Sequence, residues 1–259
     1  MHMFSNKERC LYRHNQLAEV ICQLRFPEIL SIEANAPVEF QEAIRQEFPQ
    51  FQRRQEMPVP QLNGLPVKGA NPITNYQFAS ADGAWRVNLT SKFISLTCSR
   101  YTRWEDFAGK LDKPLAAFIR IYKPAYFERV GLRYLNFISR QALDLMGTPF
   151  RELIRPCYLG PLLEEDVQEA AVGRATVDLE MAIRGGCRVK LHAGPGHVKR
   201  GNQQDKEVKF IFDQDLYMPG QLPVNLSAGA LQTLHSQADS IFRGAITDTL
   251  HDAMGPDYI

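Results

Sequence analysis

Ala18, Val20, Cys22, Leu24 and Phe26 alternate with Glu19, Gln23 and Arg25, and Pro27 closes the run. A period of two separates a buried face from a polar one, so this segment predicts a half-buried strand with Ile21 as the one apolar residue on its outer side. Phe40, Ile44 and Phe48, spaced by four after Pro37, predict a short amphipathic helix ending before Pro49. From Gln52 to Thr74 the chain carries Pro58, Pro60, Gly64, Pro66, Gly69 and Pro72, which predict a long connection with little regular structure. Connections of that length are often functional.

Asp82-Gly83 is a hairpin turn signal. A turn there opposes Ser80 to Trp85, Phe78 to Val87 and Tyr76 to Leu89. A second loop at Ser91-Lys92 opposes Leu89 to Ile94, Val87 to Leu96 and Trp85 to Cys98, and all these residues then share one face. Thr102 and Glu105 predict a capping box for a helix with Trp104, Phe107, Leu111, Leu115, Phe118 and Tyr122 on one stripe. Pro114 is expected to kink or split that helix.

The cycle then starts again. Val130, Leu132 and Tyr134 open a strand, a helix runs from about Pro149 to Arg155, and an irregular acidic stretch passes through Glu164, Glu165 and Asp166. A hairpin turning at Arg184-Gly185-Gly186 matches its apolar residues only with a three-residue loop, which opposes Glu180 to Lys190 and Asp178 to His192. Val208, Phe210 and Phe212 supply a third strand. One long helix is expected from Ser227 as N-cap through Leu231, Leu234, Ala238, Ile241, Phe242, Leu250 and Met254 to Gly255-Pro256.

Both halves, residues 1–125 and 126–259, therefore read βαβββα, and their opening strands share a local likeness in Leu24-Arg25-Phe26 and Leu132-Arg133-Tyr134. The expected fold class is α+β: two repeats forming antiparallel sheet with two long helices on one face, arranged about a pseudo-twofold axis in one compact unit. Whether the halves share one continuous sheet is left open by the pattern.

Composition narrows the classes. The 259 residues are 44% hydrophobic and 23% charged with a net charge of +1, ordinary for a globular protein and without the basic excess of a dedicated nucleic-acid binder. Apolar runs such as Leu115 to Ile119 are far shorter than the roughly 18 residues of a membrane span. The polar start from Met1 to Arg13 lacks a leader pattern, and the reading is cytoplasmic. Cys10, Cys22, Cys98, Cys157 and Cys187 are odd in number and widely spaced, which suits reduced thiols, with Cys22, Cys98 and Cys187 on apolar strand faces. No cofactor and no metal site is expected.

Several stretches together resemble a known family: Ala18-Glu19-Val20 with Arg25-Phe26, then Tyr101, Trp104 and Phe107, then Val130-Gly131-Leu132-Arg133-Tyr134-Leu135-Asn136, and finally Leu234-His235 with Phe242 and Thr247. They are similar to the sporadically distributed family of uncharacterised prokaryotic proteins, across nearly the whole chain. The resemblance implies a bacterial accessory or defence-type cassette and a partner-dependent role, and no assigned activity.

Candidate residues follow from position. Arg25 and Arg133 match in the repeated opening strands, with Glu19 and Gln23 on the same face. If those strands meet at the pseudo-dyad, two guanidinium groups converge to hold a carboxylate or phosphate; ordinary ion pairing with Glu19 or Glu128 is the structural alternative. The stretch from His192 to Gly201 places His197, Lys199 and Arg200 beside glycines, a weaker anion-loop candidate. His235 and Asp239 stand one helical turn apart, which allows a metal or acid/base reading but is expected to be solvent-facing helix polarity. No nucleophile, base and oxyanion set can be assembled, so an enzyme is the last choice. The first functional expectation is a binding module for a protein partner encoded nearby, using the sheet face opposite the helices or the Gln52 to Thr74 connection. The alternative is a small anionic or phosphate-containing ligand between the repeats, and the third is nucleic acid on a saddle-like sheet.

Overall fold

The period-two segments become strands, and in the computed structural model, which describes residues 2–56, 72–200 and 203–258, they assemble with less regular ones. The chain runs β1 (Cys10–Tyr12), β2 (Leu17–Arg25), α1 (Leu30–Ala34), α2 (Val38–Ile44), β3 (Gln50–Glu56), β4 (Ile73–Ala79), β5 (Trp85–Leu89), β6 (Phe93–Cys98) and α3 (Trp104–Tyr122). It continues with β7 (Phe127–Ile138), α4 (Phe150–Leu153), β8 (Val177–Ala182), β9 (Arg188–Arg200), β10 (Gln203–Leu222), α5 (Ser227–Ala245), α6 (Asp248–Ala253) and β11 (Pro256–Tyr258). Among the described residues, nine strands form one antiparallel sheet in the order β3-β4-β5-β6-β2-β7-β10-β9-β8, and β1 pairs with β11. The two halves of the chain thus share a continuous sheet, joined where β2 meets β7.

The hairpin registers follow the alternation. Phe78 opposes Val87, Leu89 opposes Ile94 and Trp85 opposes Cys98, while Glu180 opposes Lys190 and Asp178 opposes His192. One face of the sheet carries the helices. Phe40 of α2 packs on Phe78, Phe150 of α4 on Phe210, and Phe242 of α5 on Phe212. The inward residues of β2 and β7, from Val20 to Leu24 and from Val130 to Ile138, are buried beneath them. Among the described residues no helix is long and apolar enough to cross a membrane.

Five local expectations are corrected. The start of the Gln52–Thr74 connection is strand β3 and its end belongs to β4; β3 is exposed throughout and polar but for Phe51, so no alternation marks it, and the intervening 57–71 lies outside the described residues. Helix α3 is not split at Pro114: it continues through it, with the buried residues Leu111 and Phe118 on either side holding it to the core. Its N-cap is Arg103: Thr102 instead donates to Asp106 at 2.7 Å, and Glu105 is taken by Arg9, so no capping box forms. The last helix is two, since Ile246 and Thr247 are extended; Ile246 bridges Ile154, and Thr247 caps α6. Ser227 is the first residue of α5 rather than its N-cap, and its hydroxyl donates to the Val224 carbonyl.

Candidate ligand-binding site

At the β2–β7 seam the outward residues are Ile21, Gln23, Arg25, Arg129, Gly131 and Arg133, around a shallow concavity of about 450 Å³. Register sets who meets whom. Arg25 opposes Arg129, whereas Arg133 opposes Ile21, so the two matched arginines stand four positions apart along the ladder. Arg133 is engaged by Asp213, its Nε donating to Oδ1 at 2.7 Å, and Arg129 donates to both oxygens of Asp215 at 2.6 and 2.8 Å. The arginine–carboxylate pairing therefore uses β10 acids, neither Glu19 nor Glu128. Glu19 lies 3.8 Å from Arg86. Arg25 is exposed and has no ion-pair partner among the described residues. Gln23 sits half-buried between Ser95 and Gly131.

The stretch with His197, Lys199 and Arg200 belongs to strand β9 and is not a loop. Paired strand N–H groups alternate in direction, so they do not converge on an anion. Glycine serves packing here: a Cβ on Gly194 would meet the Ala175 carbonyl oxygen at 2.1 Å. His197 Nδ1 lies 3.0 Å from the Asp205 carbonyl oxygen. The side chains of Lys199 and Arg200 lie outside the described residues.

A different site emerges on the inner face. Tyr134 and Gln214 are cross-strand neighbours on β7 and β10, at positions that the alternation points toward the helices. Above them lie His235 and Asp239, one turn apart on α5. The N-terminal segment from Arg9 to Tyr12, with Tyr101, closes the sides of a cavity of about 80 Å³. Far from facing solvent, His235 is 8% exposed. Its position explains this, because it follows Leu231 by four and precedes Ala238 by three, on the buried stripe of α5. Its ring stacks on Trp104 at 4.7 Å between centroids and 8° between planes. Nδ1 lies 2.8 Å from the Tyr134 hydroxyl.

Two polar atoms of this site have no hydrogen-bond partner among the described residues: Nε2 of His235 and Oε1 of Gln214, both buried. Gln214 itself is 2% exposed. Leaving such a group unpaired costs on the order of 1–3 kcal/mol. Charge is arranged around them. Arg9 donates to both oxygens of Glu105, at 2.7 and 3.2 Å, which holds the Glu105 carboxyl down to about 2. Burial pushes Asp239 up, opposed by Arg243 and Arg9. Burial, with Arg9 nearby, holds the His235 imidazole down to about 4, so the ring is neutral at physiological pH. Tyr134 is held well above its ordinary value by burial and keeps its proton.

The cysteine at the rim is Cys10, buried, whose sulfur accepts from Arg243. Burial raises its thiol. Among the described residues no three His, Cys, Asp or Glu side chains gather as a metal would require. No family model matches the chain, and no curated protein matches it.

Proposed function

We propose that this chain is a binding module whose ligand is a small polar molecule held between the sheet and α5. One observation carries the reading: His235 Nε2 and Gln214 Oε1 are buried on residues that line one cavity, without hydrogen-bond partners among the described residues. A ligand that bonds to them removes a desolvation cost that the empty protein bears. Native mass spectrometry of the gently purified full chain tests this. The expected result is a stoichiometric small adduct that is lost in Gln214→Leu. A chain free of adduct, whose melting temperature no small polar molecule raises, would sink the reading.

A second reading keeps the protein partner, encoded nearby in an accessory or defence-type cassette as the family resemblance implies. Arg25 favours it: an exposed cation without a described partner, beside Gln23, among arginines that are all engaged. It suits one acidic group on a docking surface. The two-arginine anion clamp is less suited, since Arg133 would have to leave Asp213. Nucleic acid is likewise disfavoured, because Asp213 and Asp215 offset the seam's positive charge. Copurification of a neighbour-encoded protein, abolished by Arg25→Glu, would support docking; unchanged copurification would remove Arg25 from it.

The order β4-β5-β6-β2 followed by β7-β10-β9-β8 supports the further reading of 1–125 and 126–259 as two βαβββα repeats about a pseudo-twofold at β2–β7. On that reading β3 is an addition to the first repeat.

A further inference from the structure

We infer that the cavity between the sheet and α5 selects an uncharged ligand that presents a carboxamide or lactam edge. The inference rests on the small-ligand reading above and names its chemistry.

The first argument is charge. Arg9 is matched by Glu105 through two hydrogen bonds, Asp239 is attracted to Arg243 on the same helix, and the histidine between them is neutral. The groups around the cavity therefore balance. A lone carboxylate, phosphate or ammonium would give up its hydration in a site whose charges sum to zero, a cost that an uncharged polar molecule avoids.

Hydrogen-bond polarity supplies the second. Gln214 Oε1 can only accept, so the ligand must offer an N–H or O–H to it. The Tyr134 hydroxyl lies 2.8 Å from His235 Nδ1. With the Tyr134 hydroxyl donating to Nδ1, the proton of the neutral imidazole is left on Nε2 as a donor. Gln214 and Tyr134 are cross-strand partners, and with His235 they line the same cavity. Their complement is a donor beside an acceptor on one uncharged group, as in an amide, a lactam or a urea.

Size supplies the third. A cavity of about 80 Å³ takes a head group of a few heavy atoms, since a water molecule occupies roughly 30 Å³ of liquid. Arg9, His235 and Asp239 also line a more open concavity of about 720 Å³ on the outer side of α5. The body of a larger ligand can lie there while its amide edge enters.

Acetamide, acetate and acetamidinium share one shape and differ in charge, which makes them the probes. Each is titrated to high concentration into the full-length protein, with binding read from the backbone amide resonances of Tyr134, Gln214 and His235. The expected result is saturable binding of acetamide at least tenfold tighter than either ion, reduced at least tenfold by Gln214→Leu. Because the comparison of probes uses the unaltered protein, it stands even if that variant folds poorly. Acetate or acetamidinium binding as tightly as acetamide would overturn the amide assignment and leave the small-ligand reading standing. Binding of none of the three, with a small adduct still found by native mass spectrometry, would overturn the assignment alone; binding of none with no adduct would overturn both.

Discussion

The hydroxyl of Tyr134 lies 2.8 Å from Nδ1 of His235, and this bond ties strand β7 to helix α5 within the core. Both residues are buried. Tyr134→Phe keeps the ring and strands the nitrogen, so it is expected to destabilise the fold by about 1–3 kcal/mol, seen as a lower urea midpoint at unchanged slope. In a His235→Phe background the same change should cost much less. An equal loss in both backgrounds would show that the hydroxyl's contribution does not run through His235.

Acid should weaken the protein in a window set by His235. The imidazole is held down to about 4 by burial, with Trp104, Tyr134, Arg9 and Glu105 around it, whereas in an unfolded chain it titrates near its ordinary value of about 6.5. Between those values the unfolded state takes up a proton that the folded state refuses. Stability is therefore complete above about 6.5 and falls as pH drops toward 4, by at most about 3 kcal/mol from this group. Asp239, pushed up by burial, offsets part of the loss in acid. His235→Gln should lose less stability than the parent between about pH 7 and about pH 4.5, measured by thermal melting. Parallel losses would show that the histidine does not govern the window.

The sheet was legible where alternation and turn chemistry act together. Asp82-Gly83, Ser91-Lys92 and Arg184-Gly185-Gly186 each fix a register, because a one-residue slip would turn Phe78, Leu89 or Leu179 outward. Strand β3 was not legible, since none of its residues is buried and the periodic signal comes from burial. Nor was the full reach of β10. Its alternation through Val208, Phe210 and Phe212 meets Gln214 at the next inward position, which reads as the end of a strand although Leu216 resumes the pattern. The same trait hid the cavity: Tyr134, Asn136, Gln214 and His235 all occupy core-facing positions with polar side chains. In His235 the cue was present, in its place on the apolar stripe of α5.

The two arginine pairs at the seam should differ in strength. Arg133 is 44% exposed beside Asp213, so screening by water and salt limits that pair, and Asp213→Ala is expected to cost less than about 1 kcal/mol. Arg129 is more enclosed, lies 4.6 Å from the Tyr217 ring centre and folds over Gly131, where no Cβ obstructs it. Asp215→Ala leaves that guanidinium part-buried and unpaired, at a cost of about 1–3 kcal/mol. Denaturation at low and at high salt separates them: only the Asp213 effect should shrink. Equal effects with equal salt dependence would mean that enclosure does not set their strength.

Gly244 tests how the N-terminal segment is held. A Cβ there would stand 2.0 Å from the Met3 carbonyl oxygen, a backbone atom that cannot swing aside as a side chain can. The contact is reinforced by the Ser5 N–H donating to the Ser240 carbonyl at 2.9 Å and the Ser240 hydroxyl donating to the Ser5 carbonyl at 2.8 Å. In a bare helix, glycine to alanine is favourable by about 1 kcal/mol. Here the gain is opposed by loss of the docked segment, so Gly244→Ala should leave α5 intact while freeing Met3 to Ser5, and trypsin should cut after Lys7 faster than in the parent. Since Arg9 to Tyr12 continue that segment and line the cavity, the same variant should release a bound small molecule more quickly. A higher melting temperature with unchanged cleavage would show that the segment accommodates the methyl group and that glycine at this position does not control its docking.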